Sequence, residues 1–424
     1  MQQSNLFEDP GVARVEWVPR REAGLDRLQQ FVPLAGSQYA KTRNFDFGPD
    51  DRSNISCLSP WIRHRAVLEQ EVLAQTLSRF QPSSAAAEKF IQEVYWRGYF
   101  KGWLENRPSV WQHFCRDLET LQRSIDEDET LRHGYRAAIS GETGIDCFDH
   151  WARELVETNY LHNHARMWFA SIWIFTLRLP WQLGAGFFLR HLLDGDPASN
   201  TLSWRWVGGL HTKGKTYSAR AENIHRFTNG RFNPAGQLSN TATSIAEDAE
   251  YPLVPLPVQA PWPEASRYGL LMTEEDLHSE SLPLRDQPAA IAVLPAAAEC
   301  GPVSFADDVM AFRKGLLEDA AQRAKEYFAC PVQQLSGRST KALLDWAQSE
   351  DLDTIVLSQP PVGPIRDWLA AVATEVATSE LSAAGIKCHT ILRDYDAQVW
   401  PHATAGFFKL KKRIPELLGT IVPA

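Results

Sequence analysis

Carboxylate, amide and tryptophan side chains are concentrated in one short stretch of the sequence. Asp194-Gly-Asp196-Pro-Ala-Ser-Asn200 is followed closely by Trp204 and Trp206. Two carboxylates and an amide after a helical pattern suit a capping turn. A pair of carboxylates also suits acid–base hydrolysis, as in glycosidases. The surrounding tryptophans instead favour electron transfer, and no other feature of the sequence supports hydrolysis.

Two other segments present chemically useful side chains at helical spacing. Residues at i, i+3 and i+4 share one face of a helix. The first such set is Glu93, Trp96 and Arg97, and the second is Asn163, Arg166 and Met167. Each set is therefore expected to lie on a single face of its helix.

A basic segment runs from Arg205 to Arg231, with six Lys or Arg residues and the single acid Glu222. Basic residues interleaved with aromatic rings suit a phosphate backbone with stacked or flipped bases, and the alternative is a solvated loop with structural tryptophans. The segment includes Gly209-Leu-His-Thr-Lys-Gly-Lys-Thr216, which fits the G-x-x-x-x-G-K-[ST] phosphate loop. That motif needs a buried strand before it and a helix at its Lys. Neither is expected here, so an NTPase is a minor alternative.

Composition excludes several classes of protein. The chain has 424 residues, 44% of them hydrophobic and 22% charged, which is typical of globular domains. Residues 1–240 carry 28 Lys+Arg against 27 Asp+Glu, whereas residues 241–424 carry 15 against 25. The acidic total of −9 argues against non-specific coating of nucleic acid. The N-terminus is polar and acidic and no apolar stretch is long enough for a bilayer, so we expect no signal peptide and no membrane association.

Six scattered cysteines without a CxxC pair indicate reduced thiols in the cytoplasm and no clustered metal site. The His162-x-His164 pair places its rings on different helix faces, so we predict ordinary histidines rather than metal ligands.

The elements that position these residues fall into two groups. Apolar spacing predicts helices through most of residues 24–193, broken by Pro82, Pro108 and Pro180. Five prolines in 252–263 predict an extended linker. Short apolar runs then alternate with helical stretches, which is typical of a parallel sheet covered by helices. We predict a multidomain α and α/β protein: a helical domain at 1–245, a Pro-rich linker at 246–266 and a Rossmann-like α/β domain at 267–424.

Six segments, in order, resemble motifs of the photolyase/cryptochrome flavoproteins. They are Tyr39-Ala-Lys-Thr-Arg43, Ser56-Cys-Leu58-Ser59-Pro60, Glu93-Val-Tyr-Trp96-Arg97, Gly141-Glu-Thr-Gly144, Asn163-His-Ala-Arg166-Met167 and the stretch from Asp194 to Trp206. The resemblance spans most of residues 24–232. It implies a helical FAD-binding domain, light-driven electron transfer, and repair of pyrimidine dimers in DNA as the activity of a lyase. The alternative that it leaves open is a cryptochrome-like blue-light receptor without repair.

The resemblance also implies roles for individual residues. Those expected to bind FAD are Tyr39, Ser56, Leu58, Ser59, Asn163, Arg166, Asp194, Asp196 and Asn200. Those expected to act in electron transfer and repair are Glu93, Asn200, Trp204 and Trp181. Those expected to contact the lesion and its DNA are Arg43, Trp96, Arg97, Met167 and Trp206, together with the 205–231 segment. Within these sets an Arg166–Asp194 ion pair is expected beside the flavin, with Asn200 at its N5 atom.

Three departures from the family pattern affect these expectations. On the expected DNA face, His164 stands in place of the second basic residue of the family's M-H-N-R motif, and Glu222-Asn-Ile224 stands in place of its F-N-P motif. Ala138 stands where the family's third electron-carrying Trp is expected, so the chain through Trp204 and Trp181 is cut or rerouted. The helical domain comes first, whereas the family places its α/β domain first. Gly269 to His278 resembles the opening of that α/β domain and Trp400 to Lys409 its end, so we expect a circular permutation. The sequence does not indicate whether a second, antenna chromophore binds, which lesion is repaired, or the oligomeric state.

Overall fold

The computed structural model describes residues 15–80, 86–263, 267–298, 301–378 and 385–421. The break predicted at Pro82 and the first 14 residues of the predicted lead-in lie outside these ranges, as do residues 264–266 of the predicted linker. No helix in the described ranges combines the length and the apolar character needed to span a membrane.

The first half of the described chain is helical, as predicted. Its helices are α1 (Arg21–Phe31), α2 (Ser37–Thr42), α3 (Ser59–Arg63), α4 (Glu69–Arg79), α5 (Glu88–Glu105), α6 (Ser109–Glu127), α7 (Glu129–Ser140), α8 (Asp146–Thr158), α9 (Asn163–Ser171), α10 (Trp181–His191), α11 (Pro197–Val207) and α12 (Ala221–Phe227). Helix α6 follows Pro108 and α10 follows Pro180, which agrees with the predicted breaks.

The helical pattern before Pro180 predicts a longer helix from Asn163 than the structure shows. Helix α9 ends at Ser171 and passes into a π-helical turn, Ile172–Thr176. Arg178 then adopts a left-handed conformation, with φ of 55°. A wider turn of this kind changes the direction of the side chains within a helix, and Trp173 lies inside it.

The second half is a five-stranded parallel sheet in the order β3-β2-β1-β4-β5. Its strands are β1 (Tyr268–Met272), β2 (Ala290–Val293), β3 (Val332–Gln334), β4 (Thr354–Ser358) and β5 (Lys387–Ile391). The helices of this half are α13 (Asp307–Phe328), α14 (Thr340–Ser349), α15 (Pro364–Thr378), α16 (Asp394–Val399), α17 (Phe407–Lys411) and α18 (Ile414–Leu418). This strand order is that of a Rossmann-like half-sheet, so the predicted fold class is confirmed. Strand β3 was not predicted because its side chains are partly exposed and form no apolar run.

Alternate strand residues face two apolar clusters, as the pleat requires. Leu270 and Met272 of β1 join a core that continues into the helical half. Leu271 points the other way, into a cluster with residues of α14 and α15. The two halves therefore share one continuous apolar core.

Buried ion pairs also join the halves. Arg63 at the end of α3 makes two bonds to Glu275, at 2.6 and 2.8 Å. Arg65 bonds Asp396 at 2.6 and 2.7 Å. The Pro-rich segment between the halves has neither helix nor strand in its described part, and it is held at both ends. Val254 N donates to Asn106 O, and Leu392 N donates to the Gln259 side chain.

Candidate functional site

The Arg166–Asp194 ion pair lies where α9 meets the turn after α10. Arg166 Nη2 lies 2.9 Å from Asp194 Oδ2, so the expected pair is present. Burial would raise the pKa of Asp194, but the charge of Arg166 and a hydrogen bond from Ser59 outweigh burial and lower it. Asp194 is therefore held as a carboxylate, and Ser59 of the predicted phosphate-binding turn lies beside it.

Asp196 serves first as the N-cap of α11. Its Oδ1 accepts a hydrogen bond from Ser199 N at 2.6 Å, which is the capping role that the sequence allowed. Its Oδ2 lies 3.9 Å from both Arg63 Nε and Arg97 Nη1. Burial opposes ionisation of Asp196, but the surrounding cations, led by Lys101, lower its pKa to about 2.

Asn200 lies one turn further along α11, and its side chain is already oriented by the fold. Its Nδ2 donates to Ala185 O of α10 at 2.9 Å. This hydrogen bond fixes the orientation of the amide. A flavin contact for Asn200 stays a prediction.

The turn 55–59 is tightly held. Arg27 donates to the carbonyl oxygens of Ser56 at 2.7 Å and Ile55 at 2.8 Å. Cys57 adopts a left-handed φ of 54°, which lets the chain reverse before α3 begins at Ser59. Leu58 is buried, and the hydroxyls of Ser56 and Ser59 lie on half-buried residues. A turn of this kind leaves hydroxyl groups available to an anion.

Helix α5 connects this cluster to the surface. Glu93 Oε1 bonds Arg43 Nη1. Burial raises the pKa of Glu93, and Arg43 offsets this only in part. Tyr39, also buried, has its pKa raised by burial and by the charge of Glu93. One turn after Glu93, Arg97 is 14% exposed at its side chain and faces Asp196. This position favours a role inside the site, where the sequence had suggested DNA phosphates.

The two predicted walls of the lesion pocket each stack on a second ring. Trp96 lies parallel to Phe407 of α17, with 3.8 Å between ring centroids and an 11° interplanar angle. Trp206 stacks on Tyr217 at 5.5 Å. Met167 is half-buried and Asn163 is exposed on the first turn of α9.

The basic segment divides into an inward and an outward part. Arg205 is 3% exposed and makes two 2.6 Å bonds to Glu247, so its expected contact with phosphate is wrong. Lys213 and Lys215 are exposed on the loop after α11. The chain before this loop is helix rather than strand, and no helix starts at Lys215. The NTPase alternative is therefore wrong.

The predicted electron-carrying residues are buried, and each lies against a further aromatic ring. Trp204 is 2% exposed and lies against Trp173, with 6.1 Å between centroids. Trp173 in turn lies 6.1 Å from the half-buried Tyr135. Trp181 begins α10 and stacks on Phe114 at 5.5 Å.

This contact between Trp204 and Trp173 depends on a glycine. A Cβ built at Gly184 would lie 2.3 Å from Trp204 and 2.9 Å from Trp173, so a side chain there would force the rings apart. Ala138, where a third Trp was expected, is fully buried.

Sequence reasoning missed two cations at the site, Arg63 and Lys101. Lys101 is buried, and it follows Arg97 by four residues on α5, a spacing that could have identified it. Arg63 lies outside every motif and is brought to Asp196 only by the fold. In the ranges that the structure describes, no group of three or more metal-ligating side chains is arranged to hold a metal ion.

The residues present fit a polar ligand that both donates and accepts hydrogen bonds. Asp194 Oδ1 is a buried acceptor, and Arg97 Nη1 and Lys101 Nζ are buried donors. Within the described ranges these three atoms have no hydrogen-bond partner. Buried polar atoms without partners are rare in proteins. An isoalloxazine edge, with its N–H and carbonyl groups, and a pyrophosphate have the complementary chemistry.

Comparison with known proteins agrees with this chemistry. Residues 90–265 match the family described as the FAD binding domain of DNA photolyase. A deoxyribodipyrimidine photo-lyase of Thermus thermophilus is 33% identical over 212 residues, covering 50% of this chain and 47% of that protein. One from Alkalihalophilus pseudofirmus is 30% identical over 202 residues, covering 46% and 39%.

A solved structure of a bacterial class III photolyase from Agrobacterium tumefaciens is 25% identical. It covers 50% of this chain and 43% of its own, with a TM-score of 0.38. This chain thus spans less than half the length of each of these relatives.

Proposed function

We propose that this chain, whose helical half belongs to the photolyase/cryptochrome flavoprotein family, is an FAD-dependent enzyme that uses blue light to repair pyrimidine dimers in DNA. The observation that carries the proposal is the buried polar cluster between α5, α9 and the turn before α11. Asp194 and Arg97 each present an unpartnered atom there. Glu93 and Trp96 lie on the same helix as Arg97, one turn or less away.

FAD binding rests on the residues around this cluster. Ser56 and Ser59 would bind the pyrophosphate with Leu58 and Tyr39 beside it, while Asn163, Arg166, Asp194, Asp196 and Asn200 would surround the ring. When bound, the flavin supplies light absorption and one-electron chemistry. The Arg166–Asp194 pair would hold Asp194 as a charged acceptor for the ring, and Asn200 would present an amide that can bond without adding charge.

Glu93 is the proposed contact to the lesion. Burial raises its pKa, so its carboxyl group holds a proton more readily than a solvent-exposed one. A protonated carboxyl donates a hydrogen bond to a carbonyl oxygen of the dimer and stabilises negative charge that develops there. Arg43 must release Glu93 or share it when the lesion enters.

The remaining pocket residues exclude water and hold the bases. Flipping a damaged base step out of the duplex costs less than flipping an intact one. Trp96 and Trp206 would stack on the flipped dimer, with Met167 below it. Arg97 lies on the inner side of the pocket and would help to position the site through its ion pair with Asp196. Trp204 and Trp181 would supply electrons to the buried site before repair.

The α/β half is proposed to be the family's antenna-type domain moved to the C-terminus by circular permutation, with boundaries at 245 and 267. Support comes from the strand order of the sheet and from the family match ending at residue 265. The cavity between the halves that Arg63, Trp111 and Glu275 line measures ≈ 20 Å³. It has room for about one water. The proposed substrate in DNA and the thiol usage suit the cytoplasm.

The test is a light-dependent repair assay on an oligonucleotide with one cyclobutane dimer, with a visible spectrum of the same sample. We expect flavin bands and blue-light reversal that Glu93→Ala lowers at least tenfold without loss of flavin. Glu119→Gln, an exposed acid on α6, is the control. Flavin bands without reversal would favour the cryptochrome-like receptor, and a colourless protein would refute both.

A further inference from the structure

The C-terminal half of the chain carries one concentrated group of positive charges. Residues 241–424 hold 15 Lys+Arg and 25 Asp+Glu, a net charge of −10. Four of those 15 cations fall within five residues, at Lys409, Lys411, Lys412 and Arg413. Lys409, Lys412 and Arg413 are exposed, and Lys411 is half-exposed. The net negative charge of this half would repel polyanions, but a concentrated group of cations attracts them locally.

The fold places this group beside the proposed lesion pocket. Phe407, two residues before Lys409, stacks on Trp96. The chain is also tied to α5 at Ala405, whose carbonyl oxygen accepts a 2.8 Å bond from Tyr99. Lys411 lies one helical turn, about 6 Å, beyond Phe407. The first of these cations therefore lies within a side chain's length of Trp96, the residue that would stack on the dimer.

A second pair of cations approaches the same place from the helical half. Tyr99 also bonds His211 Nε2 at 3.0 Å. His211 begins the loop that exposes Lys213 and Lys215. We call the six residues the basic surface: Lys213, Lys215, Lys409, Lys411, Lys412 and Arg413. Lys213 and Lys215 lie within the residues that match the FAD-binding domain family, and the other four residues lie outside that match.

The cations of the basic surface are only weakly engaged within the protein. Arg413 pairs with the exposed Glu416 at 3.0 Å, and Lys411 lies 3.5 Å from Glu88. Lys409 donates to the Thr404 hydroxyl at 2.7 Å. Exposed pairs of this kind contribute little, so a phosphate displaces them at little cost. Phe408, 75% exposed beside them, adds an aromatic ring on which an unpaired base can stack.

We propose that the basic surface binds the phosphate backbone of duplex DNA next to the lesion, so that the C-terminal segment 409–413 forms one edge of the DNA-binding face. This inference rests on the proposed function, because it takes the Trp96 pocket as the place where the dimer enters. Duplex DNA carries one charge per about 1.7 Å of its axis, so several phosphates can meet a segment with four cations in five residues. The segment positions DNA and takes no part in electron transfer.

The experiment measures the Kd of the full-length protein for a fluorescent duplex with one dimer, by anisotropy, from low to moderate salt. The variant Lys409→Ala/Lys412→Ala/Arg413→Ala removes three exposed cations. The slope of log K against log salt is negative, and each lost phosphate contact reduces its magnitude by about 0.9. We therefore expect the magnitude to fall by about 2 to 2.7, the upper value corresponding to three full contacts. At low salt the Kd rises at least tenfold.

A matched control removes the same charge elsewhere. Lys314→Ala/Lys325→Ala/Lys341→Ala changes exposed lysines of α13 and α14, and its salt slope should equal that of the wild type. Equal slopes for the 409–413 variant and the wild type, or equal losses in both variants, would overturn the inference. Stronger binding of the wild type to anionic lipid vesicles than to DNA would also overturn it.

Repair at saturating DNA separates this inference from the proposed function. The 409–413 variant should bind FAD and repair at the wild-type rate once DNA is in excess. A wild type that repairs, with an unchanged slope in the variant, refutes only the basic surface. A wild type that binds no flavin and repairs nothing refutes the proposed function and, with it, this inference. Lys412→Gln/Arg413→Gln, which removes two charges but keeps polar side chains, should reduce the magnitude of the slope by about 1 to 2.

Discussion

Replacing Asp194 by Asn tests the central ion pair with the smallest change of shape. Asp194 is 4% exposed at its side chain and Arg166 22%, so the substitution leaves a mostly buried guanidinium without its charge partner. Breaking a fully buried pair costs about 3–5 kcal/mol. Arg166 keeps some exposure to solvent and the hydrogen bond from its Nε to Leu161 O at 2.9 Å. We therefore expect the substitution to lower the free energy of unfolding by about 2 kcal/mol.

The same substitution should also weaken FAD binding. Asn presents an N–H or an uncharged oxygen where the unpartnered Asp194 Oδ1 now lies. Loss of one charged hydrogen bond, about 1.5–3 kcal/mol, corresponds to a roughly 10- to 150-fold weaker Kd.

Two measurements check this prediction. Urea unfolding of the flavin-free protein gives the loss of stability, and titration with FAD followed by fluorescence gives the Kd. Asp126→Asn, an exposed acid on α6, should change stability by less than about 0.5 kcal/mol. Unchanged stability and unchanged FAD affinity in Asp194→Asn would refute the placement of the flavin at this pair.

Three further outcomes follow from the structure. Trp173→Phe should slow photoreduction of the flavin measured by transient absorption, because the Trp173 ring lies 6.1 Å from Trp204 and Phe is far harder to oxidise. An unchanged rate would exclude electron transfer through Trp173. Asp196, whose pKa is lowered to about 2, should stabilise the fold by about 2 kcal/mol above pH 4 and lose that contribution as pH falls toward 2. Replacing it by Asn should flatten the pH dependence of urea unfolding in that window, and an identical slope would contradict the assignment. Arg63→Ala should destabilise the chain by about 3–5 kcal/mol because it leaves Glu275 buried and unpaired; thermal unfolding within a degree of the wild type would argue against a shared core.

Local motifs were sufficient to predict much of this site. The i, i+3, i+4 spacing on α5 and α9 correctly placed Glu93 and Arg166 on helices. The Asp194–Arg166 pair was expected from resemblance and is present. The prolines correctly predicted helix boundaries. A proline lacks the backbone N–H that a helix interior needs, so its effect does not depend on the tertiary structure.

The sequence failed where contacts come from distant segments. Arg205 looked like a surface cation, yet Glu247, 42 residues later, neutralises it in the interior. Phe407 looked like an ordinary helix residue, yet the fold stacks it on Trp96, 311 positions away in the chain. The π-helical turn that contains Trp173 was not predicted from the sequence either. Such contacts follow from tertiary packing, which helical periodicity does not encode.

The most direct test of the account is the visible spectrum of the purified protein in the dark and after blue light with a thiol reductant, taken with the repair of a dimer-containing oligonucleotide. We predict flavin bands at about one FAD per chain, bleaching under light, and repair only in the illuminated sample. A folded protein that takes up no FAD, or one that repairs equally in the dark, would contradict it.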